Sequence, residues 1–342
     1  MNRIYLLLSL VVLAISAKSQ PVDSLWIRPF HYQNNIYYEQ GNNTVQLNFL
    51  TKAKDSTYRY YPANFDISAS QTKGLGLNYK FFSVSFVYNT LLDVRAAHHL
   101  RDLSFNFSLV KRKWGVESFF GHYNGVVSVL DSGKFVANPN IRFDRVGARF
   151  HYIRKYARYS WRAPRDQSER QRKSSASLIC LIVPSWNRVQ SKNNLLPNDT
   201  LSYKYYQNQW GLRNVNTYKL EVMPGYAFTI SLFRGRFFIS PMWALGTGIA
   251  YNNYETTVFR THNLKYTFCA YSEFNFGFNG ARFYCCFNTF TQSYNSLLDP
   301  VYFQYKTTGG KITLGFRFGT LEKVIPEDIG VLLDRVRKRQ QT

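Results

Sequence analysis

After Ile15 the chain has no long apolar run. A membrane-crossing helix needs about 20 such residues, so crossing by helices is excluded for everything beyond the N-terminus. Cysteine is scarce: Cys180, Cys269, Cys285 and Cys286 are the four in 342 residues. They are too few and too irregularly spaced for a disulfide framework, and no CxxC or Cys/His spacing suits a metal. Cys285 and Cys286 are neighbours on a predicted strand, point to opposite faces and do not bridge each other. Acid is scarce too. Twenty Asp and Glu stand against 43 Lys and Arg, a formal charge of +23. A glycine-rich phosphate loop is also missing, so no nucleotide cofactor is expected.

So basic a chain suggests a polyanionic partner, and nucleic acid is the usual one. The N-terminus argues against it. Arg3, the apolar run Ile4 to Ile15, and the small residues Ala17 and Ser19 form a secretory signal peptide over 1–19, cleaved before Gln20. No cysteine follows the run to carry a lipid. The expected address is the Gram-negative outer membrane, where the available polyanion is lipopolysaccharide and its phosphates suit Lys and Arg.

Aromatics are plentiful at 18%, with 26 Tyr and 28 Phe, yet the mean hydropathy is only −0.31. A barrel reconciles the two, because apolar outward residues alternate with polar lumen residues between aromatic girdles. Alternation of period two recurs along the chain. Leu103, Phe105, Phe107 and Leu109 are separated by Ser104, Asn106 and Ser108, and Phe82, Val84, Phe86 and Tyr88 by Ser83, Ser85 and Val87. Leu75, Leu77 and Tyr79, and Ile312, Leu314, Phe316 and Phe318, repeat the pattern. It places strands near 44–52, 71–80, 82–90, 101–111, 114–130, 141–154, 174–185, 217–231, 236–251, 263–279, 281–293 and 310–319. The expected fold is all-β: a closed antiparallel transmembrane β-barrel of about twelve strands over 44–319, after a lead-in at 20–43.

The connections alternate as well. Lys80-Phe81, Lys111 to Lys113, Phe233 to Gly235 and Asn279-Gly280 are tight. Segments 53–70, 91–100, 131–140, 186–216, 252–262 and 294–309 are longer and polar, as short periplasmic turns and long outer loops require. Asn279-Gly280 reads as a two-residue turn with φ > 0, which sets Phe276 opposite Phe283, Glu273 opposite Cys286 and Cys269 opposite Phe290, leaving all thiols free. Segment 155–173, KYARYSWRAPRDQSERQRK, breaks the alternation. It is a periplasmic excursion, a plug folded into the lumen, or a sign of a different strand count. In the basic tail 320–342, Pro326 opens a short amphipathic periplasmic helix. Glu327 and Asp328 lie in its first turn, Ile329, Leu332, Leu333 and Val336 on one face, and Arg337 to Arg339 at its end.

Three stretches carry a family resemblance. They are Tyr60 to Asn64 leading into GLGLNYKFFSVSFVY; Lys113 to Glu117 with Tyr123-Asn124-Gly125; and Tyr159 to Pro164 with Gln171 to Ser177. Over roughly 30–319 the chain resembles the outer-membrane barrel family filed as domain of unknown function 4421. Tyr61 stands where that family tends to have Arg, and a family Gly near Ala176 is missing. The resemblance implies a barrel and an outer-membrane address, and no activity.

A search for chemistry finds little. An outer-membrane lipase site needs a His with Ser two residues on, so that base and nucleophile share a strand face. None of His31, His98, His99, His122, His151 and His262 has one. His98-His99 with Asp102 is the one local His–Asp arrangement, and it reads more simply as a solvated loop. No catalytic, cofactor-binding or metal-ligating residue is assigned, and no enzyme is expected. What remains is the lumen. A charge on the lipid face costs about 2–4 kcal/mol at mid-bilayer, so Glu117, Arg145, Arg149, Glu221, Glu273, Arg282 and Arg317 are expected to point inward. There they either line a narrow, porin-like path for small anionic solutes or brace a closed barrel through Arg–Glu pairs. In the closed case the loops or the tail would bind partners: lipopolysaccharide outside, a periplasmic protein inside. The barrel-assembly machinery is a further expected partner.

Overall fold

In a computed structural model the described residues are 23–30, 34–52, 60–91, 102–129, 135–196, 211–298 and 301–319. The signal segment 1–19, the tail 320–342 with its expected helix, and His98 and His99 lie outside them. The strands are β1 (Ile27–Pro29), β2 (Asn34–Lys52), β3 (Tyr60–Tyr79), β4 (Phe82–Leu91), β5 (Asp102–Val110), β6 (Trp114–Val129) and β7 (Phe135–Ile153). After a single helical turn, α1 (Arg162–Arg165), come β8 (Glu169–Gln171), β9 (Ser175–Ser191), β10 (Leu212–Leu232), β11 (Phe237–Thr256), β12 (Arg260–Asn279), β13 (Phe283–Leu297) and β14 (Tyr302–Phe318).

Twelve of these strands close into an antiparallel barrel in the order β10-β11-β12-β13-β14-β2-β3-β4-β5-β6-β7-β9, β9 returning to β10. β1 and β8 form a separate two-stranded sheet. The first and last wall strands meet at the seam, Asn34 opposite Phe318 and Leu50 opposite Tyr302. Each wall strand is thereby paired on both sides, which leaves no open sheet edge among the described strands. β4 and β5 are the shortest wall strands. Past their ends β3 pairs directly with β6, Asn64 opposite Val129 and Asp66 opposite Val127.

Period two decides what each face meets. Ile36, Leu75, Phe86, Phe120, Leu178, Leu220, Ile249, Phe268 and Leu314 are exposed around the outer wall. Their sequence neighbours Asn35, Glu221, Thr267 and Thr313 turn inward, and the first three are buried. Aromatic pairs between adjacent strands, such as Phe237–Phe278 and Phe283–Phe316, tie the outer face together at ring separations of 5.2 and 5.0 Å.

The wall strands outrun the apolar alternation. β2 begins at Asn34 rather than at 44, because its polar first half pairs in full with β3 and β14. The lead-in 20–43 therefore holds β1 and the start of β2. β3 likewise reaches back to Tyr60; β11 runs on to Thr256 and β12 starts at Arg260, β13 runs on to Leu297 and β14 starts at Tyr302, so that 257–259 and 298–301 become short connections. A paired strand needs only backbone partners, and a polar stretch supplies these as well as an apolar one does.

The Asn279-Gly280 turn also differs. β12 ends at Asn279, which pairs with Tyr284, and β13 begins at Phe283, so that Gly280, Ala281 and Arg282 connect the two strands. Neither Asn279 nor Gly280 has positive φ; that conformation falls on Lys80, Phe233, Arg234 and Gly235 at the other turns. Cys269 faces Tyr294, Glu273 faces Phe290 and Phe276 faces Phe287, so each cross-strand pair slides while every residue keeps its face. All four cysteines are free. Cys180 and Cys285 lie half-buried, whereas Cys269 and Cys286 are buried on the inner face. A lipid-soluble maleimide is expected to label the outer pair in the folded barrel and the inner pair only after unfolding. Equal labelling of all four in the folded state, read by peptide mass, would overturn this assignment of faces.

Candidate functional site

The connection between β7 and β9 does not hang from the barrel; it folds back into the lumen. Ser160 starts the turn, its Oγ accepting from the Ala163 backbone N–H at 3.0 Å. α1 then places Arg162 and Arg165 inside the wall. Arg165 donates to Glu117 of β6 at 2.6 Å and also binds Glu273 of β12, on the far side of the barrel. Its guanidinium lies 4.0 Å over the Trp161 ring. Trp161 stacks on His151 at 4.3 Å and donates from Nε1 to Glu117 at 3.2 Å. Burial opposes the charge of Arg165, but Glu117 and Glu273 outweigh it and hold the group protonated. Burial pushes the Tyr159 phenol up to about 12, against Ser240 and Thr229 of the wall.

Polar contacts bind the rest of the plug to four wall strands and one turn. Arg317 of β14 is fully buried and donates to the Gln167 carbonyl at 2.9 Å and to Gly280 O at 2.6 Å. It also binds Asn279 Oδ1 and lies 3.8 Å over Phe30. Asn35 of β2 and Asn78 of β3 donate to the Asp166 carbonyl at 3.1 and 3.3 Å. Asn279 of β12 donates to Glu169 O at 3.0 Å. Glu169 in turn takes Arg112 Nε at 2.8 Å from the β5–β6 turn. Beneath this, β8 pairs with β1, and Gln171 Nε2 donates to the carbonyls of Arg158, Lys173 and Trp26. Gly235, at φ +83°, sits so close to the Gln171 carbonyl that a Cβ there would clash with it.

A second closure lies nearer the loop end. Phe143 of β7 and Tyr305 of β14 stand six strands apart either way round the barrel, and their rings touch across the lumen at 5.6 Å. Tyr123, Tyr294, Phe303 and Phe49 extend the contact to both sides. Arg145 crosses the same gap, donating to Gln292 at 2.8 Å with its guanidinium 4.2 Å over Phe119. Between the two closures is a chamber of about 370 Å³. Trp161, Pro164 and Arg165 form its floor; Ser85, Asn106, Arg145, Gln292 and the Glu39–Lys311 pair (2.6 Å) line its walls.

Six of the seven charged positions singled out from the sequence turn inward, and three of them form one cluster. Glu117, Arg149 and Glu273 meet through Arg165 and Tyr271: Arg149 lies 3.3 Å from Glu117 and 3.2 Å from Tyr271 Oη. Arg145 bridges the lumen above them, and Arg317 holds the plug below. Glu221 is buried on the inner face of β10 with Lys219 at 2.9 Å. Arg282 is the exception. It lies exposed in the β12–β13 turn, because the three-residue connection takes it out of the strand on which alternation had placed it.

The sequence reading did not find Arg165, whose period belongs to no strand. It also passed over a pair on the outer wall, where His122 Nδ1 lies 2.5 Å from Asp144 and Nε2 is 2.9 Å from Asn124. That pair forms because β6–β7 register sets residue 122 opposite 144. Position 122 alone gives no hint of it.

Fold and site together define a closed β-barrel that carries its own plug. The family model "Domain of unknown function (DUF4421)" matches residues 21–318, and the chain belongs to that family. The third motif of the sequence analysis, Tyr159 to Pro164, is the plug. Among curated proteins nothing matches. Solved structures with some likeness include the outer membrane protease OmpT from Escherichia coli. It is 8% identical, with 83% of this chain and 96% of that one covered, at a TM-score of 0.36. The Pseudomonas putida toluene transporter TodX is 5% identical, with 88% and 99% covered, at a TM-score of 0.29.

Proposed function

We propose that the protein is an outer-membrane β-barrel of a Gram-negative cell whose lumen is closed at rest, so that it binds rather than conducts. The apolar belt on the outer wall supports the membrane address: in water so large an apolar surface would need a partner, and a bilayer provides one. Short turns and both ends of the described wall gather at one end, which is the periplasmic end by the usual topology of such barrels. The observation that carries the closed reading is the cross-lumen bridging by Phe143–Tyr305 and by Arg165 between Glu117 and Glu273. Twelve strands enclose a bore that side chains can fill, and here they fill it at two levels. Binding then belongs to the outer loops, the turn end and the tail.

Planar bilayers provide the test. The purified full chain, shown to be folded by its heat-modifiable mobility, is expected to give no current steps above the empty-bilayer baseline. Regular steps with anion selectivity would instead make the narrow anion pore the correct reading.

A further inference from the structure

The rim at the turn end carries bases at each of its five described connections. The β3–β4 turn contributes Lys80, the start of the plug connection Arg154 and Lys155, the β10–β11 turn Arg234 and Arg236, and β1 Arg28, every one of them exposed. The described acids at this end leave that charge standing. Asp23 is half-buried and 3.9 Å from Arg158, Glu169 is buried against Arg112, and Asp166 is turned inward to Arg162. Aromatic rings are interleaved with the bases. Lys80 lies 5.4 Å from the Tyr79 ring, Lys111 5.2 Å from Trp114 and Lys113 5.7 Å from Tyr152, while Phe233 and Phe283 project outward beside them.

We propose that this collar binds the phosphate groups of anionic phospholipids in the leaflet surrounding the turn end. The shape of the charged surface selects lipid over protein. A docked acidic protein would meet a patch on one side, whereas a bilayer leaflet meets the barrel along its whole perimeter, and the bases follow that perimeter. Rings at the apolar–polar boundary with bases beside them are the chemistry of the headgroup region, where the ring stays half in hydrocarbon and the cation reaches phosphate. The inference rests on the membrane reading above.

The experiment refolds the full chain from urea into vesicles of phosphatidylcholine alone, or of phosphatidylcholine mixed with phosphatidylglycerol. The folded fraction is read by gel mobility, and lipid contact by tryptophan quenching with brominated forms of each lipid. Folding is expected in both vesicles, with brominated phosphatidylglycerol the stronger quencher per mole. The K80Q/R234Q/R236Q variant should lose that preference, at on the order of fivefold per base. R213Q/R260Q, at the loop end, should keep it. Added salt should weaken it in the wild type. Failure to insert into either vesicle overturns the membrane reading itself. Insertion with equal quenching by the two lipids overturns the collar alone. If the turn-end variant quenches like wild type but loses affinity for polyglutamate, the surface docks an acidic protein and the lipid proposal falls.

Discussion

Replacing residues 156–172 by a tight turn and truncating Phe143 and Tyr305 to Ala in one chain is expected to convert an electrically silent barrel into a conducting one. Either change alone is expected to leave it silent. The reason is that the two closures lie in series. The plug fills the turn-end half, where Arg165 spans from Glu117 to Glu273. The aromatic bridge crosses the loop-end half, where the Phe143 and Tyr305 rings meet at 5.6 Å. Current must pass both, so opening one changes nothing measurable. Once both are open, Arg145, Arg149, Lys219, Lys311 and Arg317 face Glu39, Glu117, Glu221 and Glu273, which predicts a weak preference for anions. Truncating a buried aromatic costs about 3–5 kcal/mol, so a heat-modifiable band must first establish that the wall still closes. Full conductance from the plug replacement alone would show that the aromatic bridge is no barrier.

Arg165→Met is expected to be the most damaging single removal of a charge in the lumen, costing about 3 kcal/mol. The loss comes less from the missing attraction than from what is left behind. Glu117 and Glu273 have side-chain exposures of 21% and 5%, and Arg165 is their shared cation. Arg149 stays 3.3 Å from Glu117, so Glu273 suffers more. Arg165→Lys is expected to fall between wild type and Met, because one ammonium cannot reach two carboxylates as a guanidinium fork does. Adding Glu117→Gln and Glu273→Gln to Arg165→Met should recover most of the loss, since a buried neutral amide carries a smaller penalty than a buried charge. The measurement is the urea midpoint in detergent, paired with proteolysis of the 155–173 segment. A midpoint matching wild type for Arg165→Met would sink the idea that this residue bolts the plug.

What the amino-acid sequence determined by itself was whatever a period of two can encode. Strand existence, strand count and the face of each residue follow from local alternation, because successive side chains on a strand must point to opposite sides. That is why Glu117, Glu273 and Arg317 could be placed inward, and why Cys285 and Cys286 kept their faces even though the β12–β13 turn slid their partners. Polar strand ends stayed hidden: Asn34 to Asn43 reads as part of a lead-in until β14 and β3 are there to pair with it. Tertiary structure alone decided the rest. Whether 155–173 hangs free or fills the lumen depends on Glu117, Glu273, Asn279 and Arg317 converging from strands far apart in the chain. Phe143 opposite Tyr305 and His122 beside Asp144 exist only because closure sets the register and the diameter. Long-range pairing of this kind leaves no local period, so the plug remained one of several readings until the wall closed around it.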